Sequence, residues 1–160
     1  MTSVAAIPSA PRVIRAALVS CLVMLTGCAG PAYAAAPEQA PPLAVGQARV
    51  WFLRQLLPGT AFHAPMIYAN GAPVGSSAQG TAFYRDFTPG NYVFSIENCK
   101  VEPQTSQTVA LGPGTQTALQ VQSDENGYWD CYPSQISYLR PVPPQTMAYL
   151  FGQVTYLGAK

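Results

Sequence analysis

The stretch GTAFYRDFTPGNYVFSIEN, residues 80–98, reads as two β-strands meeting at Thr88-Pro89-Gly90-Asn91. Proline presets the backbone of a turn and glycine reaches conformations closed to other residues, so these four positions punctuate the chain. Past the turn, Tyr92, Phe94 and Ile96 alternate with Val93, Ser95 and Glu97, the period of two that turns one face to a core and the other to water.

The same pattern spreads in both directions. Upstream, ARVWFLR (48–54) is apolar on both faces, as a central strand must be. APMIYANGAPVG (64–75) sets Asn70-Gly71 between two strand-like pieces, a hairpin signal because both residues tolerate positive φ. Downstream, TQTALQVQS (115–123) alternates Thr117, Leu119 and Val121 with glutamines, and SQISYLR (134–140) and TMAYLFGQV (146–154) read as further strands. Together these predict an all-β fold: a single antiparallel β-sandwich of seven to nine strands, immunoglobulin- or transthyretin-like, over residues 47–160.

With 160 residues, only 9% of them charged and a net charge of +1, the chain has room for one domain and no charged field. Nucleic-acid binding rests on clustered Lys and Arg, which are absent here. Arg12 and Arg15 precede an apolar run, Ala16 to Thr26, too short for a permanent span, which needs about 20 residues, and suited to an export signal over 1–27. Leu25-Thr26-Gly27-Cys28 resembles the bacterial lipobox, whose cysteine is acylated and becomes the first residue of the mature chain. Ala32-Tyr33-Ala34 offers the alternative, an ordinary signal-peptidase cut after Ala34 that discards Cys28. Residues 28–46, rich in Ala and Pro, read as a lipidated cysteine followed by a flexible tether reaching ~50 Å at about 3 Å per residue. Either cut leaves Cys99 and Cys131 as an even pair in an oxidising compartment, so a disulfide is expected, worth on the order of 3–4 kcal/mol for a loop of this size. Two buried free thiols are the alternative.

Candidate chemistry is sparse. His63, the sole histidine, has no nucleophile or metal partner at a recognisable spacing and reads as a loop residue, not a catalytic base. Asp124, Glu125, Asn126 and Asp130 supply oxygen ligands without the alternation of a calcium loop, which favours a solvated turn. No cofactor or metal is expected. Tyr128, Trp129 and Tyr132 gather around Cys131, where they either lid the sandwich over the disulfide or form a ligand-binding surface for a glycan.

The succession ARVWFLR, MIYANGAPVG and GTAFYRDFTPGNYVFSIEN resembles a family of short bacterial envelope lipoproteins classed as a domain of unknown function. Over residues 48–98 it is also similar to the PEGA-type surface-layer module, through the Gly-x-x-Val-Gly hairpin and the Pro-Gly turn. The resemblance implies a β-sandwich and brings no catalytic residues. The expectation is therefore a non-catalytic lipoprotein, anchored in the outer membrane through Cys28 and facing the periplasm, acting as a structural or protein-interaction module. A periplasmic glycan or peptidoglycan binder using the Tyr128/Trp129/Tyr132 loop is the alternative, with an enzyme a third reading. Intact mass spectrometry of membrane-extracted protein, unreduced, is expected to give an acylated chain starting at Cys28, lighter by the pair of hydrogens that a Cys99–Cys131 bridge removes. A chain starting at Ala35 would contradict the anchor.

Overall fold

The computed structural model describes residues 36–57, 63–98, 105–124 and 136–159. Among these, nine strands form two sheets: β1 (Ala48–Arg54), β2 (Met66–Ala69), β3 (Ala72–Ser76), β4 (Thr81–Phe87), β5 (Gly90–Ile96), β6 (Ser106–Leu111), β7 (Gln116–Asp124), β8 (Ile136–Pro141) and β9 (Thr155–Ala159). Two helices accompany them, the single turn α1 (Ala36–Gln39) and α2 (Pro144–Phe151). The larger sheet runs β8-β7-β1-β4-β9 and the smaller β3-β2-β5-β6. The all-β sandwich is the observed fold.

β1 is central in the larger sheet, and all seven of its residues are buried. Val50 and Phe52 point between the sheets, where they meet Phe83, Phe94, Ile96, Leu119, Val121 and Leu139. The rings of Phe52 and Phe94 lie edge to face at 5.6 Å across the sheet interface, a geometry aromatic quadrupoles favour. Trp51 and Leu53 point the other way, into a second apolar cluster with Tyr84, Ala118, Val142 and Phe151. The domain thus has a third layer over the outer face of the larger sheet, made by α2 and the segment around Ala40.

The hairpin at Asn70-Gly71 is present, with φ of 49° and 82° at the two positions, the double left-handed turn that matches strand twist. Asn70 earns its place a second time: its Oδ1 accepts from the Val93 N–H at 2.8 Å and its own N–H donates to the Val93 carbonyl at 2.9 Å, tying the tip to β5. The Thr88-Pro89 turn joins two strands as expected, but β4 and β5 lie in different sheets, so this turn is a corner between layers. Phe87 against Tyr92 (5.0 Å) and Phe94 (5.4 Å) packs its inside.

Three expectations are corrected. The sandwich is not wholly antiparallel, because β1 pairs with β7 and β4 with β9 in parallel. Parallel neighbours need a crossover, and the chain supplies one by carrying α2 over the outer face between β8 and β9. The strand expected at 146–154 is this helix: Met147, Leu150, Phe151 and Val154 stand at the i, i+3, i+4, i+7 spacing of a helical face, and all four pack on the outer cluster. Pro144 opens the helix where its missing N–H costs nothing, and Gly152 caps it with its N–H on the Ala148 carbonyl at 3.1 Å. Lastly, the end of the expected tether is part of the folded unit from Ala36 on, since Ala40 packs on the outer cluster and Pro41 is bonded to β1.

Candidate functional site

Of the residues singled out by sequence, Cys28, Cys99, Cys131, Tyr128, Trp129 and Tyr132 lie outside the described residues, as do Glu125, Asn126 and Asp130. Asn98 Nδ2 donates to the Ser137 carbonyl at 2.7 Å and Asn98 Oδ1 accepts from the Ser137 N–H at 2.6 Å, so the end of β5, next to Cys99, is clamped to the start of β8. His63 sits before β2, half-buried, with Nε2 3.8 Å from Glu97 Oε2; that carboxylate oxygen also accepts the Met66 N–H at 2.9 Å. Asp86, near the far end of β4, is engaged by Arg49 instead. Among the described residues no group of three or more His, Cys, Asp or Glu gathers as metal ligands.

Two arginines on β1 set the electrostatics. Arg49 is 2% exposed. It makes a forked pair with Asp86, Nε to Oδ1 at 2.7 Å and Nη2 to Oδ2 at 2.9 Å, and gives Nη1 to the Pro41 carbonyl at 2.7 Å. Its guanidinium also lies 3.9 Å from the Tyr84 ring centroid. The bond to Asp86 raises its pKa above the ordinary arginine value despite burial. One side chain thereby fastens the N-terminal segment, β1 and β4. Arg54, 3% exposed at the other end of the strand, meets no carboxylate among the described residues: Nη1 donates to the His63 and Ser77 carbonyls at 2.7 and 3.2 Å, and Nη2 to Ser123 Oγ at 3.1 Å. Burial lowers its pKa.

The outer face of the larger sheet offers two recesses. A groove of about 390 Å³ opens between α1 and α2, floored by Trp51 and Phe151 and walled by Pro37, Pro144, Met147 and Ala148, with Glu38 and Gln116 as its polar groups. Gln116 Oε1 holds the indole N–H of Trp51 at 3.1 Å, which keeps the ring flat on the floor of the groove with its one donor satisfied. Beyond the cover of α2, a smaller recess of about 150 Å³ lies among Arg54, Gln55, Leu57, Gln120, Gln122 and Tyr138. Neither recess was legible in the sequence. Trp51 and Gln116 are 65 positions apart, and the local sequences of α1 and α2 read as tether and strand.

No protein-family model and no curated protein matches this chain. Among solved structures it is similar to the N-terminal domain of AlgF from P. aeruginosa, at 20% identity and a TM-score of 0.40, over 66% of this chain and 100% of that one.

Removing one partner of a buried forked pair strands the other charge. Asp86→Ala is expected to cost about 3 kcal/mol in urea unfolding, the low end for buried pairs because the Asp86 side chain keeps 29% exposure. Tyr156 is held above the ordinary tyrosine range, first by burial and then by the charge and hydrogen bond of Tyr84. Since the unfolded chain then loses this proton before the folded one, stability is intact below about pH 10 and falls as pH rises through that value. Unfolding followed from pH 8 to 11 is expected to show this decline, with a smaller slope in Tyr156→Phe.

Proposed function

We propose that this chain is a non-catalytic lipoprotein of the bacterial envelope, held at the outer membrane by acylated Cys28 and facing the periplasm, where it serves as a structural or protein-interaction module. The observation that carries the reading is the groove over Trp51. Ligand recesses of this kind are concave, mostly apolar and furnished with a few fixed polar groups, and about 390 Å³ accommodates two or three apolar side chains of a partner segment. Its walls also suit a protein partner: Pro37 and Pro144 are rigid, Met147 adapts its shape, and Tyr149, 68% exposed, stands on the same helix as an amphipathic contact.

The placement of the groove fits a tethered module. Its α1 wall directly continues the segment that would run from Cys28, and the Arg49 clamp on Pro41 secures that wall to β1. A load arriving along the tether would reach the sheet through this clamp. The resemblance of residues 48–98 to short envelope lipoproteins points the same way. A Cys99–Cys131 bridge would add a covalent cross-link to the domain in an oxidising compartment.

A photoreactive residue replacing Tyr149, tested in fractionated cells, is expected to give a discrete adduct with another envelope protein in the membrane fraction. Ala148→Trp fills the groove from its exposed wall and is expected to abolish the adduct without lowering the thermal midpoint. Recovery of the chain wholly in the soluble fraction, or adducts indifferent to Ala148→Trp, would overturn the reading.

A further inference from the structure

Four glutamines meet on the outer face of the larger sheet, where the cover of α2 ends. Gln122 Nε2 donates to Gln120 Oε1 at 3.1 Å, Gln120 Nε2 donates to Gln55 Oε1 at 2.7 Å, and Gln55 Nε2 donates to Gln153 Oε1. The chain of bonds runs in one direction across β7, the end of β1 and the turn after α2. A primary amide has two N–H donors and two acceptor lone pairs. After the ladder bonds, and counting the described residues, Gln122, Gln120 and Gln55 each retain one N–H, Gln153 retains two, and the carbonyl of Gln122 stands at the head of the row with no donor on it.

We infer that this ladder is a subsite for a neutral sugar ring. The remaining donors are fixed in orientation by the bonds the amides make to one another, so ordering costs that usually oppose polar recognition are met before a ligand arrives. The recess beside them, about 150 Å³, is below the range of drug-sized pockets and suits one pyranose. Tyr138 and Leu57 add an aromatic and an aliphatic wall for the C–H faces of such a ring. The four amides are uncharged, and the two guanidiniums beside them are engaged: Arg54, which also lines the recess, donates to the His63 and Ser77 carbonyls and to Ser123 Oγ, and Arg140 lies over the Tyr138 ring at 5.1 Å, so hydroxyl and acetamido groups match the row of amides. Gln55, Gln120 and Gln122 are half-buried, which separates them from the freely solvated amides of an ordinary sheet face. This subsite shares no residue with the groove over Trp51 and stands or falls apart from it.

The test is an NMR titration of the full mature chain, its side-chain amides observed, with N-acetylglucosamine, glucose and, as a charged control, glucuronate. The expected result is a saturable shift of the Gln55, Gln120 and Gln122 side-chain amides with at least one neutral sugar and a weaker response to glucuronate. Gln122→Glu replaces the donor at the head of the ladder at nearly constant shape and is expected to weaken that binding about tenfold with the thermal midpoint unchanged. Gln120→Leu, which breaks two ladder bonds, is expected to abolish it, and Ala148→Trp to leave it untouched. No saturable shift with either neutral sugar, tighter binding of glucuronate, or a shift that persists in both glutamine variants overturns the inference.

Discussion

β1 is buried on both faces along its whole length, and the rest of the domain follows from that constraint. A strand whose even and odd side chains both leave water needs a layer on each side. The smaller sheet covers Val50 and Phe52; α2 and the segment around Ala40 cover Trp51 and Leu53. Each large apolar side chain so enclosed contributes about 1.5–3 kcal/mol, which makes this strand the main source of cohesion in a chain with few charges. The same demand explains the helical crossover: once β8 is laid down, the outer cluster is still open, and α2 closes it on the way to β9.

The two arginines of β1 mark where burial meets the ends of the core, and they are resolved differently. Arg49 has a carboxylate, a carbonyl and an aromatic face, enough to offset the cost of removing a cation from water. Among the described residues Arg54 is satisfied by two carbonyls and a hydroxyl, all from different segments around one pole of the sandwich. Its role is that of a node: the stretches before β2, after β3 and at the end of β7 are held at one position because a buried guanidinium needs acceptors there. Ser123 extends the node to Ser137 at 3.1 Å, and Asn98 continues it to β5.

Much of this architecture is legible in local sequence. The double-faced apolarity of 48–54 announces the central strand, Asn70-Gly71 the hairpin, and the alternation of Tyr92, Phe94 and Ile96 the half-buried strand beside it. What local pattern does not carry is partnership. Nothing in Arg49 or Val50 tells that Gln116 and Thr117 lie alongside in parallel, nor that Thr88-Pro89 turns a corner between sheets instead of closing a hairpin. β6, SQTVAL, carries a weak local signal because only Val109 and Leu111 alternate in it, without an aromatic residue. The segment of α2 reads as a strand because TMAYLFGQV contains short runs compatible with both periods, and only the reach from Met147 to Val154 separates them. Gln120 and Gln122 read as a solvent face; their ladder depends on Gln55 and Gln153, which sequence distance hides.

The position of β1 in the chain has a consequence for assembly. The strand at the middle of the larger sheet comes first, yet its two neighbours begin at Thr81 and Gln116, so neither flank can form until much of the chain is available. The pairings of β1 with β4 and β7, and of β4 with β9, each close a long loop, and loop closure of this kind slows folding. The larger sheet therefore condenses late, once β7 has joined β1, and a fragment ending before Gln116 would leave one buried flank of β1 without its partner strand.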